Sequence, residues 1–158
     1  MNTFQHLAKH FNEVYFGGNW TCSNLKDTLQ DVNIQEANEK VADFNTILCL
    51  SYHIHYYVSV QLSFLKGAPI HASDEMSFKH PEILVEQDWI KFKEHMLKEA
   101  EEFVSYIASI DESNVNSPFI AEQYGTYFRN INGLIEHTHY HLGQIALLKK
   151  WIRASSKK

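Results

Sequence analysis

Four stretches of the chain repeat apolar residues at steps of three and four, the period of helices that pack on one side. In the first, Thr3 to Tyr15, the residues Phe4, Leu7, Ala8, Phe11, Val14 and Tyr15 keep that spacing, and Gly17 and Gly18 end it. The second runs from about Asn45, read as its N-cap, to about Leu65, where KGAP at Lys66 to Pro69 stops it and a loop to His80 and Pro81 follows. The third, roughly Gln87 to Ile110, sets Trp89, Phe92, Met96, Ala100, Phe103 and Ile107 on one stripe and carries Lys and Glu elsewhere, so half of it should meet solvent. The fourth runs from about Ala121 to Arg153, with Gly125 able to delay its start. Between the first two, Leu25, Leu29 and Val32 predict a short helix, NIQE from Asn33 has the form of a capping box, and Trp20 is expected to anchor the connection. Nothing reads as a strand ladder. The expected fold class is all-α: one domain over residues 1–158, a four-helix bundle with a partly structured connection between its first two long helices.

The second pattern poses a membrane question, because Phe44 to Leu65 holds no Asp, Glu, Lys or Arg and is long enough to cross a bilayer. Asn45, Thr46, Ser51, His53, His55, Ser59, Gln61 and Ser63 interrupt it, and that many polar groups are costly against lipid. A helix buried on all sides within protein is the better reading, so no membrane partner is expected. The formal charge of −5, from 14 basic and 19 acidic residues, gives no pull toward nucleic acid either. The opening MNTFQHLAKHFNEVYF lacks the continuous apolar run of a secretory signal, which predicts a cytoplasmic protein, and Cys22 and Cys49 fit reduced thiols.

Candidate chemistry lies in IEHTHYHLGQI, Ile135 to Ile145. At about 100 degrees per residue, His137 and His141 share a face with Leu134, Gln144, Ile145 and Leu148, while His139 points the opposite way, toward solvent or a partner. Two imidazoles one turn apart can reach a common metal ion, although two ligands do not make a site, and both can equally serve as hydrogen-bonded core histidines. The second helix supplies a third candidate: Thr46, Leu50, His53, Tyr57, Val60 and Phe64 form an unbroken stripe with His53 at its middle. A buried imidazole is expensive to satisfy, so a metal shared by His53, His137 and His141 is an economical account of all three. Such a site, with coordination positions left open, is of the catalytic kind.

The GxIEHxHYHLGQI pattern at Gly133 to Ile145, NTI at Asn45 to Ile47, YHxxYY at Tyr52 to Tyr57 and GGNWT at Gly17 to Thr21 resemble the DinB-like superfamily, within it a branch of uncharacterised bacterial proteins. The resemblance spans nearly the whole chain, and the HxxxH followed by LGQI is its most specific part. It implies a DinB/YfiT-type bundle, often dimeric, that binds one divalent transition metal, zinc or nickel first among them, through His53, His137 and His141. It further implies a small-molecule substrate and a metal-dependent hydrolase or S-transferase, with a low-molecular-weight thiol as possible co-substrate. A metal- or ligand-binding bundle without turnover is the alternative.

No residue is readable as a general base. Glu136 lies about a quarter-turn off the histidine face and reads as a solvated charge; Gln144 can reach the site or serve an interhelical contact. Glu122, Tyr124, Tyr127 and Arg129 can line the mouth of a site or be structural. The second helix is apolar on two sides, so a second subunit or the structured connection is expected over Leu48, His55 and Leu62, with Tyr52, Tyr56 and Tyr57 beside that contact. His6, His10, His71, His80 and His95 carry no assignment.

Overall fold

The computed structural model describes residues 1–70 and 72–156, so His71, Lys157 and Lys158 lie outside the described residues. Within them the chain is all-helical: α1 (Thr3–Phe16), α2 (Leu25–Gln30), α3 (Ile34–Asn38), α4 (Ile47–Leu65), α5 (Asp74–Ser77), α6 (Glu86–Ser109) and α7 (Tyr127–Ser155). Short 3-10 turns at Glu112–Asn114 and Glu122–Tyr124 precede α7, and the described residues contain no strand beyond one bridge between Pro118 and Thr126.

Local chemistry sets the boundaries. The Asn2 side chain accepts from the Gln5 N–H while Gln5 reaches back to the Asn2 N–H, a reciprocal cap that starts α1. The same device, Asn33 with Glu36, starts α3. The cap of α4 is Thr46, whose Oγ1 accepts from the Cys49 N–H at 3.1 Å; Asn45 sits one residue too early, because the extended backbone at Thr46 is what aims a side-chain oxygen into the first turn. Thr126 caps α7, whose start is delayed past Gly125.

The four long helices enclose one apolar core. Both α6 and α7 pack against α1 and against α4, and buried Phe4, Phe11, Tyr15, Trp89 and Phe103 fill the centre. Each such side chain contributes roughly 1.5–3 kcal/mol by leaving water. The α2–α3 connection is tied to this frame by polar contacts at its edges: the Trp89 Nε1–H donates to the Val32 carbonyl at 2.8 Å, and Arg153 on α7 binds Glu36 and Asp31. Trp20 is not part of that anchorage; it is 97% exposed, and Asn19 takes the role by donating to the carbonyls of Glu13 and Ser23. The left-handed turn at Gly17 and Gly18 carries the chain back under the end of α1, which points the small amide inward and the indole outward.

Helix α4 is buried on more than one side, Leu48, His55 and Leu62 included, and no second subunit is needed to bury them. α6 packs over His55, with the Phe92 ring edge-on to it at 5.6 Å, while α3 also packs against α4. No helix among the described residues is long and apolar enough to cross a membrane.

Candidate metal centre

The helical phase of α7 carries His137 and His141 to one side, and the middle of α4 brings His53 against them. The Nε2 atoms of His53 and His137 lie 2.9 Å apart, and the ring centroids of His141 stand 4.7 Å from His53 and 4.5 Å from His137. His53 is 4% exposed and His141 8%. One potential ligand nitrogen from each ring falls within 4.8 Å of the other two, so the three buried or half-buried histidines could hold a metal ion.

Two of the rings have their tautomer fixed from behind. The Ser77 hydroxyl donates to the Asp74 carbonyl, so its oxygen accepts the His53 Nδ1–H at 2.8 Å. The Gln144 Oε1 accepts the His141 Nδ1–H at 2.7 Å. Both rings therefore turn an Nε2 lone pair to the centre, the arrangement in which a metal-ligating histidine donates its other N–H to a supporting group. His137 Nδ1 is buried with no hydrogen-bond partner among the described residues.

Electrostatics favour the same neutral form. Burial drives the His137 pKa down to about 4, helped by the neighbouring His141 and His53 rings. Burial also lowers His53, with His141 adding to the effect and Asp74 opposing it; His141 is lowered by burial and raised in part by its bond to Gln144. All three imidazoles are thus held uncharged, and His53 and His141 already present inward lone pairs to a cation, while the 2.9 Å contact between the His53 and His137 Nε2 atoms is a hydrogen bond when His137 carries its proton there. The donor set fits a borderline divalent ion. Ligand nitrogens about 2.1 Å from a tetrahedral ion stand about 3.4 Å apart, so the His53 and His137 rings need to part by only about half an ångström.

The three rings form the floor of a cleft of about 550 Å³, the size range of small-molecule sites. Its wall comes from α4 and α7, with Asp74 and Phe78 from the segment after α4 closing one side. Phe78 stacks on His53 with centroids 4.0 Å apart, the Tyr57 hydroxyl donates to Asp74 at 2.8 Å, and the Tyr56 hydroxyl accepts the Ser73 N–H at 3.0 Å. Tyr56 and Tyr57 thus hold α5 over the site, and Tyr52 packs beside Phe92 and His80. Arg129, Asn130 and Tyr140 line the rim. The Arg129 stem is pressed against Gly125, whose φ of +81° and lack of a Cβ make the contact possible.

Other residues sort out as follows. Tyr127 packs into an aromatic group with Phe4, Phe64 and Phe119, while Glu122 and Tyr124 are exposed. Glu136 is exposed and accepts a hydrogen bond from Asn132 at 2.8 Å. His139 does not look at solvent: it is half-buried, 6.1 Å from the His10 ring, because α1 packs on the side of α7 away from the metal-facing pair. Ser77, Asp74 and Phe78 were missed by pattern reading, although Ser73 followed by Asp74 and Glu75 is a helix-start signature.

Comparisons with protein-family models, with curated proteins and with solved structures found no match to this chain.

Proposed function

We propose that this chain is a metal-dependent enzyme of DinB-like, four-helix-bundle type, acting on a small molecule through one divalent ion, zinc or nickel, held by His53, His137 and His141. The observation that carries this reading is the pair of inward Nε2 lone pairs fixed by Ser77 and Gln144, converging with His137 under an open cleft. A bound ion there would supply Lewis acidity and a lowered pKa to a water or thiol. The chain's own part is to hold the three rings neutral, to cover His53 with the Phe78 ring, and to set the Asp74 carboxylate in the same cleft. Hydrolysis and transfer from a low-molecular-weight thiol are the two reaction classes that such a centre supports. A cytoplasmic location and a homodimer belong to the same proposal, the dimer on the strength of the family resemblance and of an apolar groove with Phe44, Leu147 and Trp151 exposed along it.

The test begins with elemental analysis of untagged protein as purified. The three-histidine centre is expected to hold one transition-metal ion per chain, so His141→Ala should carry one ion fewer than wild type; wild-type protein free of metal, or His141→Ala with the same metal content as wild type, overturns the proposal. Turnover with glutathione- or bacillithiol-like thiols and electrophilic acceptors, or with hydrolysable esters and amides, then separates an enzyme from a metal-binding bundle. Light scattering reports the dimer.

A further inference from the structure

His53 and His55 are two positions apart on α4 and so look in nearly opposite directions. On the side away from the cleft, His55 meets His95 and Glu99, which are one turn apart on α6. His95 carried no assignment in the sequence because its partner lies on another helix. We propose that His55, His95 and Glu99 form a second divalent-cation site, of the zinc class, that clamps α4 to α6.

Distances carry the argument. The His55 Nε2 stands 3.7 Å from one Glu99 oxygen and the His95 Nε2 stands 3.6 Å from the other. Both separations exceed hydrogen-bond length, so the cluster is not a set of closed imidazole–carboxylate bonds. They are close to the roughly 3.4 Å that separates two ligands of a tetrahedral zinc ion. The potential ligand atoms of all three residues fall within 4.8 Å of one another.

Charge points the same way. Glu99 is partly buried, and among the described residues its salt-bridge partners are the two imidazoles alone, with no Lys or Arg. A divalent cation would supply the fixed positive charge that no Lys or Arg among the described residues brings to this carboxylate. Ser59 donates to the Glu99 oxygen nearer His55, which orients the carboxylate, and its own oxygen is 3.5 Å from the His55 Nε2. The His95 side chain is 59% exposed, which gives an ion a route in from solvent and leaves a coordination position for water. Two imidazoles and one carboxylate are a donor set that zinc accepts. The site shares no ligand with His53, His137 and His141, so it stands or falls apart from the proposed function.

The test is a zinc titration of untagged, chelator-stripped protein against a chromophoric chelator. Two ions per chain are expected in the wild type. His95→Ala and Glu99→Gln should each leave one; His141→Ala should also leave one, and His141→Ala combined with Glu99→Gln none. A loss of at least tenfold in affinity at the second site counts as its removal. Because His95 is exposed, its replacement leaves the core intact, and helical circular dichroism verifies the fold of each variant. Unchanged stoichiometry and affinity in both His95→Ala and Glu99→Gln would overturn the proposal, as would His141→Ala protein that binds no zinc.

Discussion

Replacing Gln144 by Leu tests the metal centre through a residue that never touches the ion. Gln144 accepts the His141 Nδ1–H at 2.7 Å, and His141 is 8% exposed, so water cannot simply take over the lost acceptor. Two outcomes are open to the ring. It can keep its proton on Nδ1, leaving a buried donor unsatisfied at about 1–3 kcal/mol. Alternatively the proton moves to Nε2, and the ring must lose it again before it can bind metal. Either way the cost falls on the metal-bound form, in which Nε2 must be a lone pair, more than on the free form. At about 1.4 kcal/mol per factor of ten, metal affinity should fall roughly 5- to 150-fold. Gln144 is only half-buried and Leu is close to it in size, so the thermal stability of chelator-stripped protein should change little. Competition with a chromophoric chelator measures the affinity. A Gln144→Leu protein that binds the ion within twofold of wild type, while His141→Ala does not bind it, would refute the account of a positioned tautomer.

Three further outcomes follow from other parts of the molecule. Burial holds His137 near a pKa of about 4 and lowers His55, against an ordinary 6.5, so between those values the unfolded chain takes up protons that the native state refuses. Stripped protein should therefore be fully stable above about 6.5 and lose stability as pH falls toward 4, and a melting temperature flat across that window would contradict the pKa directions. Phe103→Ala removes a fully buried ring that stands edge-on to Phe11 at 5.0 Å and should cost about 3–5 kcal/mol in urea unfolding; a loss below about 1 kcal/mol would mean the core is packed otherwise. Gly125→Ala forces a Cβ to 2.6 Å from the Arg129 Cδ at a φ of +81°, so a loss of about 1–3 kcal/mol and a displaced Arg129 are expected, seen by denaturation and a variant structure.

The long helices were legible because their apolar stripes obey the helical period over many turns. The ends of α1, α4 and α6 fall within a residue or two of the pattern; that of α7 depends on Gly125 and Thr126, where turn chemistry decides. The phase of HxxxH separates His137 and His141 from His139, and the stripe through His53 puts that ring on the facing helix. What was not legible is pairing between elements. The sequence marks the Leu48, His55 and Leu62 side of α4 as apolar, yet it does not say that α6 covers His55. His139 lies opposite the other two, yet only the placement of α1 turns that side inward. Asn45 and Thr46 are both good capping residues, and one backbone angle chose between them.

The division of labour at the centre follows from that same limit. Periodicity brings three rings together, but an imidazole has two nitrogens, and proximity leaves open which one faces in. That choice is made by groups outside the stripe: Ser77, delivered by a four-residue helix too short to show a period, and Gln144, which pattern alone leaves between two roles. Ser77 can accept from His53 only because its own proton is committed to the Asp74 carbonyl, and the α5 turn that places it is held by Tyr56 and Tyr57 from α4. The helix that contributes the ligand thus also holds the loop that fixes the ligand's tautomer. His137, with no such partner on Nδ1, is the ring least committed to one tautomer and the one whose Nε2 already lies against His53. It is therefore the ring whose inward nitrogen the surrounding protein leaves unassigned, and the one a bound ion would have to settle.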